Sequence, residues 1–384
     1  MRQARTVLST YSADTFGVCS ALYELGGMTV MHDASGCNST YSTHDEPRWY
    51  RSDSLVFISG LTETDAILGN DDKLINDMLS AIDNFHPAFA AIAGTPIPMM
   101  TGFDYEAAAA QIEKESGIPC FGFPTNGMRS YLCGASEALA AFAERMTDNI
   151  TQKRKRGVNI LGATPLDFSL TGTVPSTIKL LTENGWNLIA SWAMGSSLED
   201  LSQAGEAEVN LVISGSGMKA AKVLRKKFGT PYVVGTPVGE DFTGEILKCM
   251  EKTAEDGSER TAFSEIKADK ESRSCIIGET VISRSLAAAI KAETGTAPRV
   301  ISTLEALPEL DGLLSPSDVH AMEEEEIQKA LENADLVIGD PLYKPLLPKE
   351  CRFISLPHEA FSGRMFRKDI PDLTQTEIIK KVEL

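Results

Sequence analysis

Short apolar runs rich in β-branched residues alternate with amphipathic helical stretches along the whole chain, and this alternation leaves few folds open. The runs at 28–32, 55–59, 88–93, 120–123, 158–162, 187–192 and 209–214 are strand-length, as are 231–235, 274–278, 298–302, 335–338 and 352–356. Stretches with helical periodicity, such as 105–116, 136–146, 176–184 and 218–228, fall between them. Hairpin signals are few. Strands joined through helices pair in parallel and are covered on both faces, so the pattern predicts an α/β protein of doubly wound, Rossmann-like sheets. All-β and helical-bundle folds fit poorly.

Two shifts in composition divide the chain. The basic stretch TQKRKRG precedes VNILG, and the charged stretch EDGSERTAFSEIKADKESR precedes SCIIG. Each reads as a linker feeding the first strand of a new unit. Three Rossmann-like domains are expected: 1–150, 151–260 and 261–384. With 42% hydrophobic residues in 384 there is material for several cores. The acidic run at 323–326 falls on a predicted helix and reads as a solvated face.

Lys and Arg total 36 against 54 Asp and Glu, a formal charge of −18. Such a surface repels phosphate backbones and anionic lipid, so neither nucleic acid nor membrane is an expected partner. The N-terminus lacks an apolar stretch of signal-peptide length, and no run of ~18 apolar residues marks a membrane span. The chain is expected in the cytoplasm. Its seven cysteines, at 19, 37, 120, 133, 249, 275 and 351, are odd in number and scattered. In a reducing compartment they read as free thiols or metal ligands.

Several chemistries lack their motif. There is no GxxxxGK[ST] loop, and Gly215-Ser216-Gly217-Met218-Lys219 has the wrong spacing for one, so the chain is not expected to bind nucleotide. No full GxGxxG opens the first unit, and GxSxG, HExxH and CxxC are absent. The most informative region runs from 17 to 74. There Asp33-Ala34-Ser35-Gly36-Cys37 forms the loop at the C-terminal end of the first strand. Ligands collect at that edge of an open α/β sheet, and a thiol on a glycine turn is sterically open to a cluster.

The stretch MTVMHDASGCNSTYSTH, followed by SLVFISGLTETDAILGNDDKLI, resembles the nitrogenase component 1 family. The match is carried by Gly36-Cys37 and by Thr62-Glu63 through Gly69. GTPIPMMTGFD, IPCFGFPTNG, AEVNLVISGSGMKAAKVLRKKFGTPYVVGTPVG, SCIIGETVISRSLAAAI and LPHEAFSG continue the resemblance in the same order. It implies a chelatase-like arrangement of three domains and an iron–sulfur cluster at a subunit interface. Cys37 matches the family's central cluster cysteine, next to Gly36. The family's first cysteine would lie near Tyr11–Ser12, where none is present, and Cys19 follows about two turns later on a predicted helix at 17–25. Cys19 is either a substitute ligand or a small packed core residue. The family's third cysteine corresponds to Thr95, a hydroxyl and a poor iron ligand. Ser214 stands where the family's cofactor-binding cysteine sits, which argues against dinitrogen reduction with a molybdenum cofactor.

The resemblance thus implies a nitrogenase-like oxidoreductase subunit that reduces a substrate or metallocofactor in the cleft between domains. Its cluster would be a [4Fe-4S] centre shared between subunits, with Cys37 and Cys19 from two copies of a homodimer, or with ligands from a homologous second subunit. Electrons would come from a separate P-loop, ATP-dependent iron-protein reductase. His32, His44 and His358 are cleft candidates for orienting or protonating a substrate. The alternative is a non-catalytic scaffold or carrier for a metal cofactor or small molecule.

Overall fold

A computed structural model describes residues 7–34, 36, 38, 41, 46–150, 152–268 and 272–383. Cys37 and His44 lie outside the described residues. The described chain forms three parallel sheets. The first holds β1 (Met28–Met31), β2 (Leu55–Ile58), β3 (Ala90–Ala93) and β4 (Cys120–Phe123), in the order β2-β1-β3-β4. The second holds β5 (Gly157–Leu161), β6 (Asn187–Ser191), β7 (Val209–Val212), β8 (Tyr232–Val234) and β9 (Arg260–Thr261), in the order β6-β5-β7-β8-β9. The third holds β10 (Ser274–Gly278), β11 (Arg299–Ser302), β12 (Val319–His320), β13 (Leu336–Gly339) and β14 (Arg352–Ser355), in the order β12-β11-β10-β13-β14.

In every sheet the strand that comes first in the chain lies inside, between two later ones. This is the doubly wound order, and it creates a crevice beyond the carboxyl ends of β1, β5 and β10. The central strands β1, β3, β5, β7 and β13 are buried throughout, as expected where helices cover both faces.

Two short strands depart from the expected pattern. The stretch read as a linker before SCIIG contains β9, whose Arg260 and Thr261 pair with Val233 and Val234. β12 likewise adds two residues to the edge of the third sheet. Strands of two residues carry too little periodicity to be read against charged surroundings.

Local signals account for many helix ends. Asp104 accepts from the Ala107 amide to start Tyr105–Ser116, and Gly117 ends it at φ 76°. The segment Thr62-Glu63-Thr64-Asp65 is a capping box, with the Thr62 hydroxyl and the Asp65 carboxylate each meeting the other's amide. The resulting helix, Glu63–Leu68, has no buried residue.

The helices Asp14–Leu22 and Tyr131–Arg145 cross at backbone contact. A Cβ on Gly17 would stand 2.1 Å from the Tyr131 carbonyl oxygen, and one on Gly134 1.8 Å from that of Asp14. Only glycine permits this approach, and it brings Tyr131 toward the junction of the sheets. No helix among the described residues is long and apolar enough to cross a membrane.

Candidate functional site

The carboxyl ends of β5, β10, β13 and β14 meet around a small cavity of about 40 Å³. Each strand delivers polar residues just past its end. After β5 come Thr164 and Asp167, after β10 Glu279, after β13 Asp340 and after β14 His358. Tyr11 completes the wall from the N-terminal segment, and Phe168, Ile277, Ile282, Leu356 and Leu373 make much of it apolar.

Tyr131, packed behind this wall, donates its hydroxyl hydrogen to Asp167 Oδ1 and lies 3.3 Å from His358 Nε2. His358 Nε2 is itself 3.4 Å from Asp167 Oδ1, and the Asp167 side chain is fully buried. Burial and the adjoining Asp167 charge push the Tyr131 hydroxyl well above its ordinary value, so it stays protonated and acts as a donor. Asp167 Oδ2 and His358 Nδ1 are buried without a hydrogen-bond partner.

Glu279 caps the helix Thr280–Thr294 and accepts the amides of Val281 at 3.0 Å, Ile282 at 2.9 Å and Gly215 at 3.1 Å. Burial, and then the charge of Asp167, raise its carboxyl to about 7 in spite of those three amides. Asp340 accepts the amides of Leu342 at 2.9 Å and His358 at 2.8 Å, and burial raises it too. The neighbouring Glu359 is held by Arg367, with Nε 2.9 Å from both carboxylate oxygens. Tyr11 stacks on Phe361 at 4.4 Å, meets His358 edge-on at 5.7 Å and hydrogen-bonds Tyr343 at 2.9 Å. On its other side Tyr11 borders an open cleft of about 1040 Å³ that also touches Phe16, Met128, Arg129 and Glu305.

Of the described residues singled out from sequence, His358 lines the cavity, while His32 and Thr95 meet each other at the end of the first sheet. His32 lies at the end of β1, with Nδ1 2.9 Å from the Ser59 hydroxyl and its ring 4.5 Å from Phe103. Burial first, then Lys73, lowers its pKa to about 4, so the imidazole is neutral. Thr95 donates its hydroxyl to the His32 carbonyl at 2.7 Å, and Ser214 donates to the Gly162 carbonyl at 2.8 Å while meeting Ser216 at 2.7 Å. Cys19 is fully buried on the helix Asp14–Leu22, in a cluster with Met31 and Tyr41, and burial pushes its thiol strongly upward. Those surroundings suit the packed-core alternative. Gly36 stands on the turn after β1, with open space where a Cβ would be. Among the described residues no group of three His, Cys, Asp or Glu side chains is placed to hold a metal ion.

Tyr11, Tyr131, Asp167, Glu279 and Asp340 were missed from sequence. A usable signal existed for three of them: Asp167, Glu279 and Asp340 each follow within a few residues the end of a central strand at a sheet's switch point.

Comparison with known proteins bears on this site. A family described as nitrogenase component 1 type oxidoreductase matches residues 15–342. The nitrogenase iron-molybdenum cofactor biosynthesis protein NifE of Clostridium pasteurianum is 30% identical over 195 residues, 50% of this chain and 42% of that protein. The nitrogenase molybdenum-iron protein alpha chain of the same organism is 26% identical over 220 residues, 56% of this chain and 40% of its own. One subunit of the light-independent protochlorophyllide reductase of Prosthecochloris aestuarii is 30% identical over 225 residues, again 56% and 40%. The matched stretches span less than half the length of these relatives. A solved structure, nitrogenase Cp1 at pH 6.5, superposes with a TM-score of 0.70 at 16% identity, covering 100% of this chain and 93% of that one. At that identity the likeness is one of fold.

Proposed function

This chain belongs to the nitrogenase component 1 type oxidoreductase family, and from that premise we propose that it works as a redox subunit holding an iron–sulfur cluster at a subunit interface. The observation that carries this reading is the sequence Gly36-Cys37 in the segment that follows the central strand β1 of a doubly wound sheet. The Cys37 thiolate would be one ligand, and the cluster would store and pass single electrons. With Cys19 in the packed core, a second identical copy would add only its own Cys37 to a site that needs four ligands, so the remaining ligands come from a homologous subunit. Electrons come from a separate nucleotide-hydrolysing iron–sulfur reductase, since this chain has no phosphate-binding loop.

Exposed apolar side chains on two contacting helices support a protein partner. Ile67 and Leu68 on Glu63–Leu68 are 74% and 75% exposed, and Met100 on Pro96–Thr101 is 73% exposed.

A large metal–sulfur cofactor does not fit the cavity at the sheet junction. The cavity at the sheet junction holds about 40 Å³ and is walled by three carboxylates, which repel an anionic sulfide cage. The Ser214 hydroxyl is committed to Gly162 and Ser216.

The test is iron and acid-labile sulfide content, with an electron paramagnetic resonance spectrum, on protein purified without oxygen. About two irons per chain with a reducible signal is the expected result for a four-iron cluster shared by two chains. Cys37→Ala is expected to lose that iron and Cys19→Ala to keep it. Iron-free protein after reconstitution would overturn the reading. It would favour a carrier without turnover, a role for which the 30% identity to a cofactor biosynthesis protein gives independent support.

A further inference from the structure

The junction cavity gathers three carboxylates beside a single imidazole, His358, which stands 3.4 Å from Asp167 Oδ1. Asp167, Glu279 and Asp340 wall it, all nearly inaccessible, and no lysine or arginine is among the wall residues. Arg367 is nearby but engages Glu359 with two nitrogens. Buried carboxylates need hydrogen-bond donors or a cation to offset their lost hydration. The three differ in how far that need is met. Glu279 receives three backbone amides and Asp340 two, whereas Asp167 receives one hydroxyl, from Tyr131, and no amide. Asp167 Oδ2 and His358 Nδ1 remain buried without partners, and native interiors seldom leave such atoms unmet.

We propose that this cavity binds a compact nitrogen cation carrying several N–H donors, of the ammonium, methylammonium or guanidinium class. A bare metal ion is disfavoured, because no three of these side chains are placed around one point at ligand distance. A cation with N–H groups around its periphery reaches separated acceptors by charge-assisted hydrogen bonds. One N–H meets Asp167 Oδ2 and another turns toward Glu279 or Asp340. Phe168, Ile277, Ile282 and Leu356 provide apolar wall for a methyl group or a flat guanidinium face. The cavity volume of about 40 Å³ suits a compact occupant. The proposal goes beyond the redox reading and does not depend on iron.

The experiment is calorimetric titration of the full chain with guanidinium, methylammonium and ammonium chloride at millimolar concentration. Tetramethylammonium and sodium chloride at equal ionic strength serve as references. Saturable binding of one N–H cation per chain, without response to tetramethylammonium or sodium, is expected. Asp167→Asn is expected to weaken it at least tenfold. Because that substitution also disturbs a buried hydrogen bond and can unfold the chain, a wild-type crystal structure grown with guanidinium decides independently. Planar density beside Asp167 supports the site. Cavity density that is water alone, no saturable binding by any N–H cation, or equal binding of sodium overturns it.

Discussion

The Asp167 carboxylate and the His358 imidazole meet 3.4 Å apart, Oδ1 to Nε2, though one follows β5 of the second sheet and the other β14 of the third. Tyr131, from the helix after β4, donates to the same Asp167 oxygen and closes the contact from the first sheet's side. All three sheets therefore meet in one polar cluster, and its members should be sensitive to small changes.

Tyr131→Phe removes a buried hydroxyl and leaves Asp167 Oδ1 without its O–H donor. A loss of about 1–3 kcal/mol is expected for a buried acceptor left unmet. Urea unfolding monitored by circular dichroism measures it. An unchanged midpoint would mean that His358 or water replaces the donor.

Gly134→Ala places a methyl group 1.8 Å from the Asp14 carbonyl oxygen, where only backbone movement can make room. The cost is expected at about 1–3 kcal/mol or more, as for other overpacked interiors. The same unfolding assay reads it. Wild-type stability in this variant would show that the two helices are not locked at backbone contact.

Leu68→Asp puts a charge on an exposed apolar residue, at a helix that buries none of its own residues. The folded chain should be unaffected, while the proposed subunit contact is expected to weaken and the mass to fall by at least one subunit. Sedimentation velocity distinguishes the two species. An unaltered mass would place the subunit contact elsewhere.

Glu279 gives the protein a defined pH dependence. Its carboxyl rises from an ordinary 4.5 to about 7 on folding, chiefly through burial. The native state therefore holds this proton more tightly than the unfolded state. Its stabilising effect is complete below pH 4.5 and declines as pH rises through 7. Relative to Glu279→Gln, the wild type should lose stability as pH rises from 4.5 through 7. Parallel stability curves for the two proteins over that range would contradict the assignment.

The amino-acid sequence determined the α/β class, the parallel sheets and the position of most strands, because apolar period and turn residues are local properties. β4, β10 and the helices Tyr105–Ser116 and Met218–Phe228 have the bounds that their patterns predict. The Thr62-Glu63 signature likewise contains its own capping box. His358 was singled out from sequence and does line the cavity.

Tertiary structure alone decided which polar groups share a site. Asp167, Glu279 and Asp340 look in sequence like ordinary residues at helix starts: Glu279 and Asp340 are N-caps and Asp167 lies in the first turn of Pro165–Phe168. Their meeting depends on the switch points of the second and third sheets facing one another, and the Gly17–Gly134 crossing brings Tyr131 in. These are long-range relationships with no counterpart in local spacing. The same reason separates Cys19 from a ligand's surroundings. Helical periodicity puts it on a helix, but only the packing of Met31 and Tyr41 against it shows that its face is interior.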